Sequence, residues 1–374
     1  MNAERFEPAR AGRLVVKIGS SLLVDPDGTP RREWLGTLLD DVVDRRASGQ
    51  QVVIVSSGAI ALGARTLGLA GGRRASLEEA QAAAAVGQIV LAGLYAELLG
   101  ERGVRAAQML LTLDDLEDRR RFLNAAATLD RLLVLGAVPV LNENDSVATA
   151  EIRFGDNDRL AARVAQAAGA TAAVLLSDVD GLYTADPFLD PAATLVKVVE
   201  VLDEETMALG GSGSGSGLGT GGMAAKLEAA RIAGVAGIDL AIASGRDDHP
   251  LRRFAETGRG TVFVSGSGAR ARKAWLAGGL GAKGRIHVDA GAAVALRAGR
   301  SLLAAGTIRV EGAFRRGDVV EVLGDAARPI ARGLIAYDAA DAARIMGVRN
   351  EDQAERLGHA PRSALIHRDH LVML

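Results

Sequence analysis

Six strand-length apolar runs recur along the first 243 residues of this 374-residue chain, and they constrain its fold more than any other feature. The runs are rich in Val, Ile, Leu and Ala and span residues 13–18, 51–56, 106–111, 138–141, 172–176 and 239–243. Helix-length amphipathic stretches separate most of them. This alternation predicts an α/β fold with a parallel sheet, and the unbroken apolar character indicates that helices bury both sheet faces.

A shift in composition after about residue 265 divides the chain. The segment GSGARARKAWLAGGLGAKG leads into shorter strand-like pieces at 285–288, 307–310, 319–323 and 330–337. A chain of this length also exceeds what one hydrophobic core usually supports. We therefore predict one domain over residues 1–265, a linker over 266–283, and a small β-rich domain over 284–374.

Composition excludes several classes of function. With 48% hydrophobic and 24% charged residues, the chain is typical of a folded protein, and a net charge of -2 would not steer it toward nucleic acid or an anionic membrane. The lack of cysteine excludes disulfides and thiolate chemistry. The start of the chain has no signal-peptide pattern, and polar side chains interrupt the longest apolar tract, at 80–99. We expect a cytoplasmic protein with a buried helix there and no membrane span.

Small, glycine-rich or acidic clusters follow four of the apolar runs. They are Lys17-Ile18-Gly19-Ser20-Ser21, Ser56-Ser57-Gly58-Ala59, Asn142-Glu143-Asn144-Asp145 and Ser177-Asp178. In open parallel sheets, ligands bind beyond the carboxyl ends of the strands, so these clusters are the first candidates for a site.

Each cluster also has a structural explanation. Ser57 could cap a helix, Asp156-Asn157-Asp158 could begin one, and Asn142–Asp145 could form a polar turn. Lys17 could reach the surface and pair with a structural carboxylate. Their shared placement at one edge of the predicted sheet favours a common site.

A glycine-rich segment, GGSGSGSGLGTGG at 210–222, precedes a helix-like stretch that contains Lys226. It could be a flexible linker. Glycines that enter a helix N-terminus can also bind phosphate through backbone N–H groups, with the lysine one turn inside the helix. The formal G-x-G-x-x-G at Gly217 lacks the preceding strand that a dinucleotide fold requires, and no Walker motif occurs.

Two further classes of site lack their motifs. The five histidines show no metal-binding spacing such as H-E-x-x-H, so we predict no protein-held transition metal. No G-x-S-x-G nucleophile elbow occurs, which weakens a hydrolase reading.

Several blocks together resemble the glutamate 5-kinases of the amino acid kinase family. In order they are VVKIGSSLL, VVIVSSGAIALG, AQMLLT, RFLNAAATL, VPVLNENDSVATAEIRFGDNDRL, SDVDGLYTADP and GLGTGGMAAK. The resemblance implies a three-layer sandwich with a mainly parallel sheet, and the region after about residue 284 resembles a PUA domain. It therefore covers essentially the whole chain.

The resemblance implies transfer of the ATP γ-phosphoryl group to the side-chain carboxylate of L-glutamate, the first step toward proline. It assigns catalysis to Lys17, Lys226 and Asp158. It assigns glutamate binding to Ser57, Asn142, Asp145, Asp156 and Asn157. It assigns ATP binding to Lys17, Gly19, Ser177, Asp178, Thr220, Gly221, Gly222, Met223, Ala224, Ala225 and Lys226.

The same resemblance implies partners. Mg²⁺ should accompany ATP, proline should act as feedback inhibitor, and the chain should form a dimer or tetramer. Direct transfer of the product to a glutamyl phosphate reductase stays open. Ser20 and Ser177 stand where many relatives have threonine, which keeps the hydroxyl. The Ser/Gly repeat before Gly217 departs from the family and affects a loop expected to order with ATP.

Other readings remain. An acetylglutamate kinase or an aspartokinase would share the fold, but neither usually carries a PUA-like domain. PUA domains elsewhere bind RNA, and an RNA-binding protein with an inactive kinase half is the alternative from another class. From residue 284 onward the chain has 13 arginines, no lysine and 11 acidic residues, a net charge of +2 that is weak for nucleic-acid binding.

Overall fold

The computed structural model describes residues 3–69, 76–147, 157–187, 189–211, 222–266, 282–325 and 328–374. The chain divides into two compact units. The first comprises Met1–Glu117 and Ala125–Gly268, and the second comprises Asp118–Asn124 and Ala269–Leu374.

Within its described residues, the first unit contains eight strands and the helices between them. The strands are β1 (Arg13–Ile18), β2 (Gln51–Ser56), β3 (Ala106–Leu111), β4 (Val138–Glu143), β5 (Ala172–Ser177), β6 (Val198–Val199), β7 (Asp239–Ser244) and β8 (Thr261–Phe263). The helices are α1 (Ser20–Leu23), α2 (Arg32–Ala47), α3 (Ala59–Thr66), α4 (Leu77–Glu101), α5 (Leu113–Glu117), α6 (Arg119–Val134, of which the part from Ala125 belongs to this unit), α7 (Asn157–Ala167), α8 (Glu204–Ala208), α9 (Met223–Val235) and α10 (Pro250–Thr257).

These strands form one mainly parallel sheet in the order β3-β4-β2-β1-β5-β7-β8-β6. The six predicted runs are all strands of it, which confirms the α/β prediction. Two further strands, β6 and β8, pair parallel to each other, and β8 runs antiparallel to β7. With two and three residues, they are too short to give a sequence pattern.

Both faces of the central strands are covered. In β1 every residue from Leu14 to Ile18 is buried, although successive side chains point to opposite faces. Strand β5 is buried along its whole length. Strand β3 alternates between partly buried and exposed residues because it lies at the edge of the sheet. The unbroken apolar runs therefore mark the strands at the centre.

The direction of chain winding reverses beside β1. From β1 the chain adds β2, β4 and β3 on one side, and then returns to place β5 on the other side, paired with β1 in parallel. The gap beyond the carboxyl ends of β1 and β5 is thus the topological switch point, where open α/β sheets bind ligands.

Helix α4 is long and apolar enough to cross a membrane by length and composition, with 44% of its most apolar window buried. Its buried side chains, such as Leu91, Tyr95 and Leu99, belong to the core, and Ser76 and Glu79 cap its start with a reciprocal pair of hydrogen bonds. It therefore packs as a helix of the α/β unit.

The second unit is a small β-rich domain around its own core, which includes Ile286, Val320 and Ile335. Its sheet has the order β10-β9-β11-β12-β13. The strands are β9 (Gly284–Val288), β10 (Thr307–Gly312), β11 (Val319–Leu323), β12 (Pro329–Leu334) and β13 (Leu371–Met373), and the helices are α11 (Ala290–Arg297), α12 (Ala339–Ile345) and α13 (Gln353–Leu357). Four of the five strands were predicted; the three-residue β13 was not.

Candidate active site

The polar clusters predicted at strand ends lie along one edge of the sheet. Four neighbouring strands, in the order β4, β2, β1 and β5, each carry one residue of these clusters at or just after the carboxyl end. In the same order the residues are Asn142, Ser57, Lys17 and Ser177. Helix α7 begins near this edge at Asn157. Two groups of side chains converge there, one charged and one neutral.

The charged cluster consists of Lys17, Asp158 and Lys226. Asp158 Oδ1 lies 2.6 Å from Lys17 Nζ, and Asp158 Oδ2 lies 3.0 Å from Lys226 Nζ. Lys17 comes from β1, Asp158 from the first turn of α7, and Lys226 from the first turn of α9. All three side chains are buried, and Asp158 is 0% exposed. One carboxylate therefore holds two ammonium groups side by side.

Burial and charge act against each other in this cluster. Burial would raise the pKa of Asp158, but the two lysines outweigh it and hold this pKa below its ordinary value. Burial lowers the pKa of Lys17, and Lys226 adds to this, while Asp158 opposes it. Asp158 is thus an anion placed between two lysine amino groups, an arrangement that suits an anionic ligand.

The amide cluster consists of Ser57, Asn142 and Asn157. Asn157 Nδ2 donates to Ser57 Oγ at 2.6 Å and to Asn142 Oδ1 at 3.2 Å. The backbone N–H of Glu143 also donates to Asn142 Oδ1, at 2.9 Å. Since Asn157 and Asp158 are neighbours in sequence, the first turn of α7 links the amide cluster to the charged cluster.

Asp145 is an acidic residue that follows β4, three positions after Asn142 of the amide cluster. Burial raises the pKa of its carboxyl to about 6. A carboxylate in such a place is stabilised by a cation, and an ammonium group on a ligand would supply one.

Several predicted nucleotide residues lie at the ends of β1 and β5 and at the start of α9, the elements that carry Lys17 and Lys226. A Cβ on Gly19 would lie 3.9 Å from Lys17 Nζ. Ser177 donates to Asp178 Oδ1 at 3.0 Å. Helix α9 begins after Gly222 without a side-chain cap and without acidic residues in its first turn, where Met223, Ala224 and Ala225 precede Lys226. Such a helix start suits an anion.

Three predicted site residues, Asp156, Thr220 and Gly221, lie outside the described residues, as do most of the Ser/Gly repeat and of the linker. Among the structural alternatives, a capping role for Ser57 is wrong. Gly58 occupies the N-cap of α3 with φ 107°, and no side chain of the described residues caps that helix. Asn157 does begin a helix, but its side chain contacts Ser57 and Asn142. Lys17 does pair with a carboxylate, but the pair is buried.

Two residues of α4 that sequence reasoning did not assign to the site contact its edges. Asn142 Nδ2 donates to Gln88 Oε1 at 2.8 Å, and the Tyr95 hydroxyl donates to Ser56 Oγ at 2.9 Å. In the sequence, these two residues are visible only as polar groups that interrupt an apolar tract. That interruption indicates a buried helix and not a membrane span, but it does not indicate a site.

Within the part of the chain that the structure describes, no group of three or more His, Asp or Glu side chains is arranged to hold a metal ion. A divalent ion that enters with ATP needs few protein ligands, because phosphate oxygens and water complete its coordination.

Comparison with known proteins covers nearly the whole chain. Residues 12–244 match the amino acid kinase family, and residues 284–354 match the PUA domain. A glutamate 5-kinase of Sphingopyxis alaskensis is 60% identical over 99% of both chains. Glutamate 5-kinases of Zymomonas mobilis and Novosphingobium aromaticivorans are 57% and 58% identical; each alignment spans all of this chain, and 94% and 98% of theirs, respectively. The chain therefore belongs to the amino acid kinase family and carries a C-terminal PUA domain.

Proposed function

We propose that the chain transfers the γ-phosphoryl group of ATP to the side-chain carboxylate of L-glutamate, which gives L-glutamyl 5-phosphate, the first step of proline biosynthesis. The observation that carries this proposal is a carboxylate-bridged pair of buried lysines beside a directional amide cluster. The near-complete alignment with glutamate 5-kinases supports the choice of substrate.

The chemistry fits a site that works without a general base. A glutamate side chain has a pKa of about 4.3, so its carboxylate is already ionised at neutral pH. One of its oxygens attacks the γ-phosphorus, and the bond from that phosphorus to the β–γ bridging oxygen breaks, with both electrons leaving on ADP. Catalysis then depends on positioning two anions and stabilising the charge between them.

The charged cluster supplies this stabilisation in the proposal. Each ammonium group has three N–H donors, and Asp158 engages one lysine with each of its oxygens. In the proposal, Lys17 and Lys226 contact phosphate oxygens as charge shifts during transfer. Asp158 holds the lysines at a fixed separation.

We place the nucleotide beyond β1 and β5. Gly19 leaves space next to Lys17, and the start of α9 from Gly222 directs backbone N–H groups at phosphate. Ser177 and Asp178 lie on the same side, at the end of β5. By resemblance, Thr220 and Gly221 extend this phosphate contact, and Met223, Ala224 and Ala225 belong to it. Mg²⁺ enters as part of the MgATP substrate.

We place glutamate beyond β4 and β2. Ser57, Asn142 and Asn157 bind its polar head, and Asp145, whose pKa burial raises to about 6, pairs with its ammonium group. By resemblance, Asp156 also takes part.

The resemblance extends the proposal beyond the site. Proline would compete with glutamate in the same pocket, the chain would form a dimer or tetramer in the cytoplasm, and the unstable product would pass to a glutamyl phosphate reductase. The kinase domain would span residues 1–265, the linker 266–283 and the PUA domain 284–374.

Ion pairs within the second unit weaken the hypothesis that this domain binds RNA. There Glu321 pairs with Arg332 at 2.7 Å, and Glu311 pairs with Arg309 at 2.9 Å. The charge of these two arginines is already balanced within the domain.

A hydroxylamine trap tests the proposal directly, because hydroxylamine converts any acyl phosphate into a stable hydroxamate. The protein is incubated with MgATP and, in parallel, L-glutamate, N-acetyl-L-glutamate or L-aspartate. We expect hydroxamate with L-glutamate alone. Product with another acid would replace the substrate and keep the mechanism, and no product with any acid would contradict the proposed function.

A further inference from the structure

Helix α4 contacts the glutamate side of the site through one face. Gln88 and Tyr95 are seven residues apart, which is two helical turns, so they project in the same direction. Gln88 Oε1 lies 2.8 Å from Asn142 Nδ2, and the Tyr95 hydroxyl lies 2.9 Å from Ser56 Oγ. A helix without any residue assigned to the substrates therefore touches two of the strands that carry the pocket.

A close helix crossing fixes α4 in this position. A Cβ on Gly87 would lie 1.7 Å from the Ala59 carbonyl oxygen, and a Cβ on Gly63 would lie 1.8 Å from the Ala83 carbonyl oxygen. The two helices thus touch backbone to backbone. Helix α3 begins at Ala59, two residues after Ser57, so α4 is held against the segment that carries Ser57.

The hydrogen bonds of the amide cluster have a defined direction. A backbone N–H can only donate, so the Asn142 atom that meets the Glu143 N–H must be the oxygen Oδ1. The Asn142 amide nitrogen then faces Gln88, where it needs an acceptor. Gln88 Oε1 is that acceptor, and with it both ends of the Asn142 amide are held.

The same direction continues through Asn157. Because Asn142 presents oxygen, the nearby Asn157 atom is Nδ2, which also donates to Ser57 Oγ. Asn157 Oδ1 is buried and has no hydrogen-bond partner among the described residues. Ser57 accepts from Asn157, so its own hydroxyl hydrogen remains available to donate. Among the described residues, the amide cluster thus offers one acceptor, Asn157 Oδ1, and one donor, the Ser57 hydroxyl.

We propose that Gln88 is a positioning residue that, together with the Glu143 N–H, holds this polarity in place and so selects a zwitterionic amino acid head group. With Asn142 held by Gln88, Asn157 directs its oxygen at an ammonium N–H and Ser57 directs its hydrogen at a carboxylate. The inference rests on the proposed function in that the head group belongs to the phosphoryl acceptor. Gln88 itself does not touch the acceptor; it acts through Asn142.

Two variants of Gln88 separate this role from simple packing. Gln88→Met keeps the length of the side chain and removes the acceptor. Gln88→Glu keeps an oxygen acceptor at that position, now on a carboxylate. We expect Gln88→Met to raise the KM for glutamate and its calorimetric Kd about tenfold or more, as for loss of a buried hydrogen-bond partner. The KM for ATP should change less than about twofold, and Gln88→Glu should bind glutamate within about threefold of wild type.

The matched control is Gln166→Met, which makes the same chemical change in α7, where Gln166 meets Arg163 at 3.4 Å. It should leave both KM values unchanged. If Gln88→Met does not fold, Gln88→Leu removes the same acceptor with a residue of high helix propensity.

Several results would overturn the inference. These are wild-type glutamate affinity in Gln88→Met, equal losses in the Met and Glu variants, or parallel weakening of ATP and glutamate. Failure of the proposed function is distinguishable, because it would show as absent hydroxamate in the wild-type protein. Calorimetry with L-glutamate would still test Gln88 in that case.

Discussion

The charged cluster and the amide cluster are neighbours, yet they are built on opposite principles. In the charged cluster, one carboxylate holds two ammonium groups at 2.6 and 3.0 Å, and the interaction depends on charge. In the amide cluster no member carries a charge, and the hydrogen bonds depend on direction. Two adjacent residues belong one to each cluster: Asn157 to the amide cluster and Asp158 to the charged cluster. Phosphoryl transfer requires cancellation of charge, whereas recognition of a small zwitterion requires donors and acceptors in fixed places.

The largest effect should follow removal of a lysine from the charged cluster. Lys226→Ala removes one of two buried cations and leaves Asp158 in place, so we expect kcat to fall at least about 10²-fold, as for loss of a donor that stabilises transition-state charge. Glutamate KM should change little. Steady-state kinetics with Lys197→Ala, which removes an exposed lysine, provide the control. A Lys226→Ala enzyme with near-normal turnover would remove Lys226 from the catalytic set.

An intermediate effect should appear with pH on the glutamate side. The Asp145 carboxyl has a pKa raised to about 6, so it is ionised above that pH and protonated below it. Only the ionised form pairs with ammonium. We expect kcat/KM for glutamate to be flat above pH 7 and to fall about tenfold per pH unit below 6, because kcat/KM reports the free enzyme.

Asp145→Asn is the matched variant for this profile. It should show low kcat/KM at high pH and lose the fall near pH 6. A fall that persists unchanged in Asp145→Asn would assign the titration to another group.

The smallest effect should come from Tyr95, which lies one hydrogen bond further from the substrate. Tyr95→Phe removes only the hydroxyl that donates to Ser56, and Ser56 in turn donates to the Ser57 carbonyl at 3.2 Å. We expect glutamate KM to rise about two- to fivefold with ATP KM unchanged, the size of a typical net hydrogen bond. Tyr337→Phe in the second unit is the control. A larger change in ATP KM than in glutamate KM would contradict the assignment of Tyr95 to the glutamate side of the site.

Sequence reasoning located the fold well because central strands in a sheet covered on both faces must be apolar throughout. It found the carboxyl-end clusters for the same reason, since polar residues such as Lys17 and Asn142 stand out at the ends of such strands. It missed β6, β8 and β13, whose two or three residues carry no periodicity.

The contacts within the site were harder to predict. Gln88 lies 54 residues before Asn142, and no local pattern links them. Their contact depends on the crossing of α3 and α4 at Gly63 and Gly87, a feature of packing between helices. The structural alternative for Ser57, a helix cap, is wrong because Gly58, with φ 107°, takes that position.

The division between the two clusters is tested most directly at the adjacent residues Asn157 and Asp158. Kinetics for Asn157→Ala and Asp158→Asn are measured side by side, with thermal melts to check folding, because an unpaired buried lysine pair destabilises a protein. We expect Asp158→Asn to lower kcat at least about 10²-fold with glutamate KM within about threefold of wild type. Asn157→Ala should raise glutamate KM about tenfold with kcat nearly kept. Folded variants that both change the same kinetic parameter would contradict the division of the site into a charged and an amide cluster.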